Sequence, residues 1–130
     1  MKKLFLFILT AILLTACSSK VEPQPEDLVV SDPAKNIEAI VGGEFKIVLD
    51  SNPSTGYHWE LGEDMDESIV QFVSKGYNAG GLSAPGSGGR DAWIFKALQA
   101  GETHITLLYY PPSNEPVEPQ QKVTFTVTVK

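Results

Sequence analysis

The sequence predicts an all-β domain, an immunoglobulin-like antiparallel β-sandwich of about seven to eight strands. Apolar and polar residues alternate in run after run, a period of two that turns every second side chain to one face. Glycine, proline and asparagine separate those runs at steady spacing, as turns between short strands require. No segment beyond the N-terminal apolar stretch sustains a 3.6-residue period.

The chain opens with a leader rather than a strand. Lys2 and Lys3 precede an apolar run from Leu4 to Leu14, the layout of a signal peptide and too short to span a bilayer. The run ends in Leu14-Thr15-Ala16-Cys17, which resembles the lipobox of bacterial lipoproteins, where the cysteine is lipidated and becomes the mature N-terminus. Residues 1–16 are therefore assigned to a signal peptide and Cys17 to lipidation; the alternative is an ordinary signal peptide with an incidental cysteine. Cys17 is the only cysteine, so the domain must stand on its packed core without a disulfide. Residues 17–34 are polar, proline-bearing and aperiodic, and read as a tether that could reach about 50 Å if polyproline-like.

The mature chain, residues 17–130, is long enough for one domain and not two, and residues 35–130 are assigned to that domain. Loss of Lys2 and Lys3 takes the formal charge from −6 to −8. That balance argues against nucleic acid or anionic lipid headgroups as partners.

The strands follow in order. Ile37 to Val41 is closed by the turn dipeptide Gly42-Gly43. Phe45, Ile47 and Leu49 then alternate with Lys46, Val48 and Asp50. Tyr57, Trp59 and Leu61 share a face. Ile69 to Ser74 puts Val70 and Phe72 on one side. Trp93, Phe95 and Ala97 alternate, as do Ile105, Leu107 and Tyr109. Val123, Phe125, Val127 and Val129 face away from Thr124, Thr126 and Thr128, which suits a sheet with one wet side.

Three connections stand out. Asn52-Pro53-Ser54-Thr55-Gly56-Tyr57 is a stiff turn: Asn52 can fold its amide onto its own backbone, Pro53 presets φ and Gly56 accepts a positive φ. Tyr57 and Trp59, two apart, would pin it to the core. The turn presents two small hydroxyl residues at its tip, a better design for insertion into a cleft than for catalysis. Residues 76–89 are glycine-rich and expected to be mobile. Pro111 to Pro119 carries four prolines and is expected to be stiff.

Catalytic and metal chemistry finds little material. His58 and His104 are the only histidines, and neither has a partner at ligand spacing. Glu63-Asp64-Met65-Asp66-Glu67 lacks the glycine and terminal glutamate of a calcium loop and reads as a solvated turn. Ser54 and Thr55 have no general base nearby in sequence, and the glycine run lacks the Lys-Ser/Thr ending of a phosphate loop. The chain reads as a non-enzyme with no cofactor and no metal.

Asn52-Pro53-Ser54-Thr55-Gly56-Tyr57, followed by Gly86-Ser87-Gly88-Gly89 in an all-β domain of this size, resembles the chagasin family of cysteine-protease inhibitors. That family's pattern is Asn-Pro-Thr-Thr-Gly-Tyr/Phe, then Gly-x-Gly-Gly, then Arg-Pro-Trp/Phe, and the resemblance covers residues from roughly 36 to 130. It implies three loops gathered at one end of the sandwich as a wedge that enters the cleft of papain-like proteases. Ser54 stands where the family's first threonine lies closest to the catalytic thiol, and Thr55 at the second. The glycines at 86, 88 and 89 would let backbone run along the substrate cleft. The third loop departs from the pattern: after Tyr110 come Pro111, Pro112 and Ser113, so only Pro112 matches and the cation and aromatic are missing. Tyr110 is the candidate to replace the aromatic contact.

The expected function is reversible inhibition of a papain-like cysteine protease by a monomer held on the bacterial envelope through Cys17. In a Gram-negative cell Ser18 favours the periplasmic face of the outer membrane. A membrane-tethered immunoglobulin-like binding module with no protease target is the alternative, and the missing Arg-Pro-Trp favours it.

Overall fold

The computed structural model describes residues 28–80 and 86–130; the leader, Cys17 and the tether up to residue 27 lie outside them. The strands are β1 (Leu28–Val30), β2 (Ile37–Ala39), β3 (Glu44–Ser51), β4 (His58–Leu61), β5 (Val70–Asn78), β6 (Gly89–Ala97), β7 (Gly101–Tyr110) and β8 (Gln121–Val129). They form two four-stranded sheets, ordered β1-β3-β6-β5 and β2-β8-β7-β4. The predicted β-sandwich is what the chain forms.

Alternation drives the packing. Phe45, Ile47 and Leu49 of β3 meet Trp93 and Phe95 of β6 on one inner face, and Ile105, Leu107, Phe125 and Val127 line the other. The Phe45 and Phe95 rings stack at 5.6 Å. Fully burying side chains of this size is worth about 1.5–3 kcal/mol each, which is the source of stability available to a domain without disulfides.

Two pairings depart from the antiparallel expectation. β1 runs parallel to β3, with Leu28 beside Phe45, and β2 runs parallel to β8, with Ile37 beside Val127. The N-terminal segment adds one short strand to each sheet, and the chain between β1 and β3 passes through β2 in the opposite sheet, long enough for the crossover that a parallel pair needs. Leu28–Val30 thus joins the sheet although its sequence reads as tether.

Two element ends also differ. β2 stops at Ala39 because Ile40 opens a turn closed by Gly43 N–H donating to its carbonyl at 2.9 Å. β5 continues through Gly76, Tyr77 and Asn78, which the glycine content assigns to a loop, because each pairs with a residue of β6. A register shift between Phe72 and Ser74 leaves Val73 as an extra residue, a β-bulge.

The acidic segment is more than a solvated turn. Asp64 Oδ2 accepts from the buried Thr106 hydroxyl at 2.5 Å, and Asp66 N–H donates to Thr103 Oγ1 at 2.8 Å. Asp66 Oδ1 accepts from the Ser68 hydroxyl at 2.6 Å and its N–H at 2.9 Å, and these bonds hold the carboxyl below its usual range. Among the described residues no group of three His, Cys, Asp or Glu is placed to hold a metal ion.

Candidate functional site

β3 delivers the chain to the first loop at Ser51. Pro53–Thr55 forms one turn of 3-10 helix, which Pro53 favours by fixing φ at the first position. Thr55 N–H donates to the Asn52 carbonyl at 3.1 Å, and Gly56 N–H donates to that of Pro53 at 3.1 Å. Gly56 ends the turn at φ 82°, in the left-handed region where a side chain is strained. The hydroxyls of the tip turn inward to the same residue: Ser54 Oγ donates to Asn52 Oδ1 at 2.6 Å, and Thr55 Oγ1 donates to the Asn52 carbonyl at 2.6 Å. Both residues remain exposed.

Asn52 does not fold its amide onto its own backbone. With Oδ1 engaged by Ser54, its Nδ2 donates across to the carbonyl of Gly86 at 3.1 Å. One side chain therefore braces the first loop internally and ties it to the second.

The aromatic anchors behave as their spacing requires. Trp59 is buried and its indole N–H donates to the Asp50 carbonyl at 2.9 Å. The Tyr57 ring stacks on Tyr109 at 5.4 Å, and Tyr109 lies 4.7 Å from Trp59. The loop is thus pinned to β7, which carries the third loop at its far end.

In the second loop, Gly86 and Gly88 have positive φ, Ser87 is exposed between them, and Gly89 begins β6. A Cβ on Gly89 would collide with the Asn78 carbonyl and come within 2.8 Å of the Tyr77 hydroxyl, so no larger residue fits there. Residues 81–85 of the expected glycine loop lie outside the described residues.

The third loop touches the first. A Cβ on Gly56 would sit 2.8 Å from Cβ of Pro112, so the absence of a side chain permits this approach. Pro112 and Ser113 are exposed, Pro111 is half-buried, and the Ser113 hydroxyl turns the chain by bonding the N–H and carbonyl of Glu115. Gln120 N–H closes the base of the loop on the Tyr109 carbonyl at 2.8 Å. Tyr110 pairs with His58 in the sheet and stacks on its ring at 6.0 Å, on the face away from Tyr109.

All three loops therefore gather at one pole, held by Asn52–Gly86 and Gly56–Pro112 contacts. Among the described residues, neither the Ser54 nor the Thr55 hydroxyl bonds a basic side chain. His58 is exposed, with its ring nitrogens 3.3 Å from the Gly56 carbonyl and 2.9 Å from Glu60 Oε1. This arrangement presents a hydrogen-bonded polar surface whose two tip hydroxyls are both engaged by Asn52.

One pair beneath the loops escapes sequence reasoning in part. Asp91 is buried on the inner face of β6, and its Oδ2 lies 3.1 Å from Nζ of Lys75 on β5. Asp91 keeps step with Trp93, Phe95 and Ala97, so a charge on a core position was readable. Lys75 was not, because the bulge at Val73 reverses the parity of β5 and turns inward a residue that strict alternation sends outward.

No curated protein matches the sequence. Among solved structures, the fold is similar to the cysteine protease inhibitor EhICP2 from Entamoeba histolytica, with a TM-score of 0.63 at 23% identity, over 80% of this chain and 96% of that one. It is similar to Amebosin, with a TM-score of 0.61 at 25% identity, over 82% of this chain and all of that one. A third similar structure is PbICP-C in complex with falcipain-2, with a TM-score of 0.51 at 18% identity, over 82% of this chain and 100% of that one. The sequence pattern of the chagasin family peptidase inhibitor I42 matches residues 38–129, which take in all three loops. With the fold, the hexapeptide turn and this match in agreement, the chain belongs to the chagasin family of peptidase inhibitors.

Proposed function

We propose that this protein is a reversible inhibitor of papain-like cysteine proteases, and that its three polar loops fill the active-site cleft. The observation that carries the reading is the mutual bracing of the loops, Asn52 to Gly86 and Gly56 against Pro112. An inhibitor must enter a cleft without yielding as a substrate does, and loops ordered beforehand lose less entropy on binding. Protease–inhibitor interfaces bury about 800 Å² per partner, an area that three loops at one pole can supply. The binding residues would be Asn52 to Tyr57, Gly86 to Gly89, and Tyr110 to Ser113, with Ser54 and Thr55 nearest the catalytic thiol. Family membership and the naming of EhICP2 as a cysteine protease inhibitor support this assignment.

Lipid attachment at Cys17 belongs to the same proposal. Leu28 lies beside Phe45 at the start of β3, whereas the first loop follows Ser51 at the end of that strand. The chain thus enters the domain at the pole opposite the loops. A tether from Cys17 to Leu28 would span about 35 Å if polyproline-like and would leave the loops directed away from the membrane.

The third loop favours one other reading. Without the family's arginine and aromatic residue, a tethered binding module with no protease target fits Pro111-Pro112-Ser113 equally well. The test is titration of papain and a cathepsin-L-like enzyme with residues 28–130, using a fluorogenic peptide, beside a Ser54→Asp/Thr55→Asp variant. Stoichiometric, reversible inhibition lost in the variant supports the wedge. A folded domain that leaves both enzymes active at micromolar concentration refutes it for these targets and advances the binding module.

A further inference from the structure

We infer that Lys75 and Asp91 form a positioning pair that stiffens the first and second loops, an inference that rests on the inhibitor reading for its consequence. Asp91 lies two residues beyond Gly89, and its side chain is only 5% exposed. A buried carboxylate needs a charged partner, and Lys75 supplies it from the neighbouring edge strand. The same ammonium donates to the Trp59 carbonyl at 3.3 Å and lies 4.7 Å from the centroid of the Trp93 ring.

These contacts converge on strands that matter. β5 enters the second loop, β6 leaves it, and Trp59 sits on β4 two residues after Tyr57 of the first. One ammonium therefore joins the edge strands of both sheets directly beneath the loops. A solvent-open depression of about 300 Å³ borders the pair, with Ser51, Pro53, Tyr57 and Tyr77 in its wall beside Lys75 and Asp91. Groups that face such a depression have packing neighbours on one side only, and the directional bonds of this pair add to what holds them.

An inward-pointing lysine on an edge strand has another use, blocking pairing between sheet edges. The test separates the two. Asp91→Asn and Lys75→Met/Asp91→Asn are compared with wild type for amide exchange and for dissociation from papain. The positioning role predicts exchange at Tyr57, His58 and Trp59 about tenfold faster with β8 unchanged, because local opening is loosened and global unfolding is not. It also predicts dissociation about tenfold faster, because a loosened loop leaves the cleft more readily and affinity changes within one interface fall mainly on the off-rate. Prolonged incubation should then yield cleavage within the first loop. Folded variants with wild-type exchange and dissociation overturn the inference, as do variants that only begin to self-associate. Should the double variant fail to fold, Asp91→Asn decides by the same readings, since the partly exposed lysine it frees can reach water. If wild type itself leaves papain active, the inhibitor reading fails for that enzyme, and exchange at residues 57–59 still decides whether the pair stiffens the loop.

Discussion

Replacing Gly56 by alanine separates loop bracing from backbone strain, because Gly42 offers a matched control. The two glycines have nearly the same φ, 82° and 86°, so alanine at either should cost about 1–2 kcal/mol of left-handed strain. In a domain of this size each should lower the melting temperature by about 4–8 °C per kcal/mol. Their surroundings differ. A Cβ at Gly42 meets nothing within 4 Å, whereas one at Gly56 meets Pro112 at 2.8 Å, closer than real Cβ contacts come. Alanine at 56 must therefore push the third loop from the first, adding a cost that alanine at 42 does not carry. The assay is thermal unfolding of both variants with inhibition of papain by each. Gly42→Ala should bind as wild type does, and Gly56→Ala should bind at least about tenfold more weakly, the equivalent of 1.4 kcal/mol. Equal inhibition by the two variants would refute the claim that contact between the loops shapes the wedge.

Asn52→Asp keeps the oxygen that accepts from Ser54 but removes the amide that donates to Gly86. It should destabilise the domain by about 1 kcal/mol and accelerate amide exchange at Ser87 to Gly89, while leaving Thr55 protected; unchanged exchange there would remove the bridge from the argument. The Asp66 carboxyl, held below the ordinary carboxylate range by the Ser68 hydroxyl and N–H and the Ile69 N–H, contributes stability that is present above the unfolded pKa and lost as pH falls through the depressed folded value. The melting temperature of wild type should accordingly fall more steeply below about pH 4 than that of Asp66→Asn, and parallel pH profiles would contradict this.

Much of the fold was legible because strand formation and turn chemistry act over short range. Alternation at Phe45, Ile47 and Leu49, and at Trp93, Phe95 and Ala97, named inner faces that are buried. Pro53 and Gly56 announced the stiff turn by the φ values they prefer, and Tyr57 with Trp59 announced its anchors. The resemblance located the three loops along the chain. Less was readable where a single residue changes the count. The bulge at Val73 reverses the facing of Lys75 and Tyr77, and Gly76 to Asn78 enter a strand only because β6 offers partners. Nothing in Leu28–Val30 alone distinguishes a tether from an edge strand laid beside β3.

By itself, then, the sequence determined the class of fold, its turn conformations and the family to which its motifs point. These follow from preferences of residues for their own φ, ψ and facing. Tertiary structure decided which loops meet. Asn52 and Gly86 are 34 residues apart, and Gly56 and Pro112 come together only through the pairing of β4 with β7. Such contacts depend on register summed across whole sheets, where a slip of one residue turns a side chain to the other face. Bracing of the three loops is for that reason a property of the assembled sandwich, although every residue that supplies it stands in plain view along the chain.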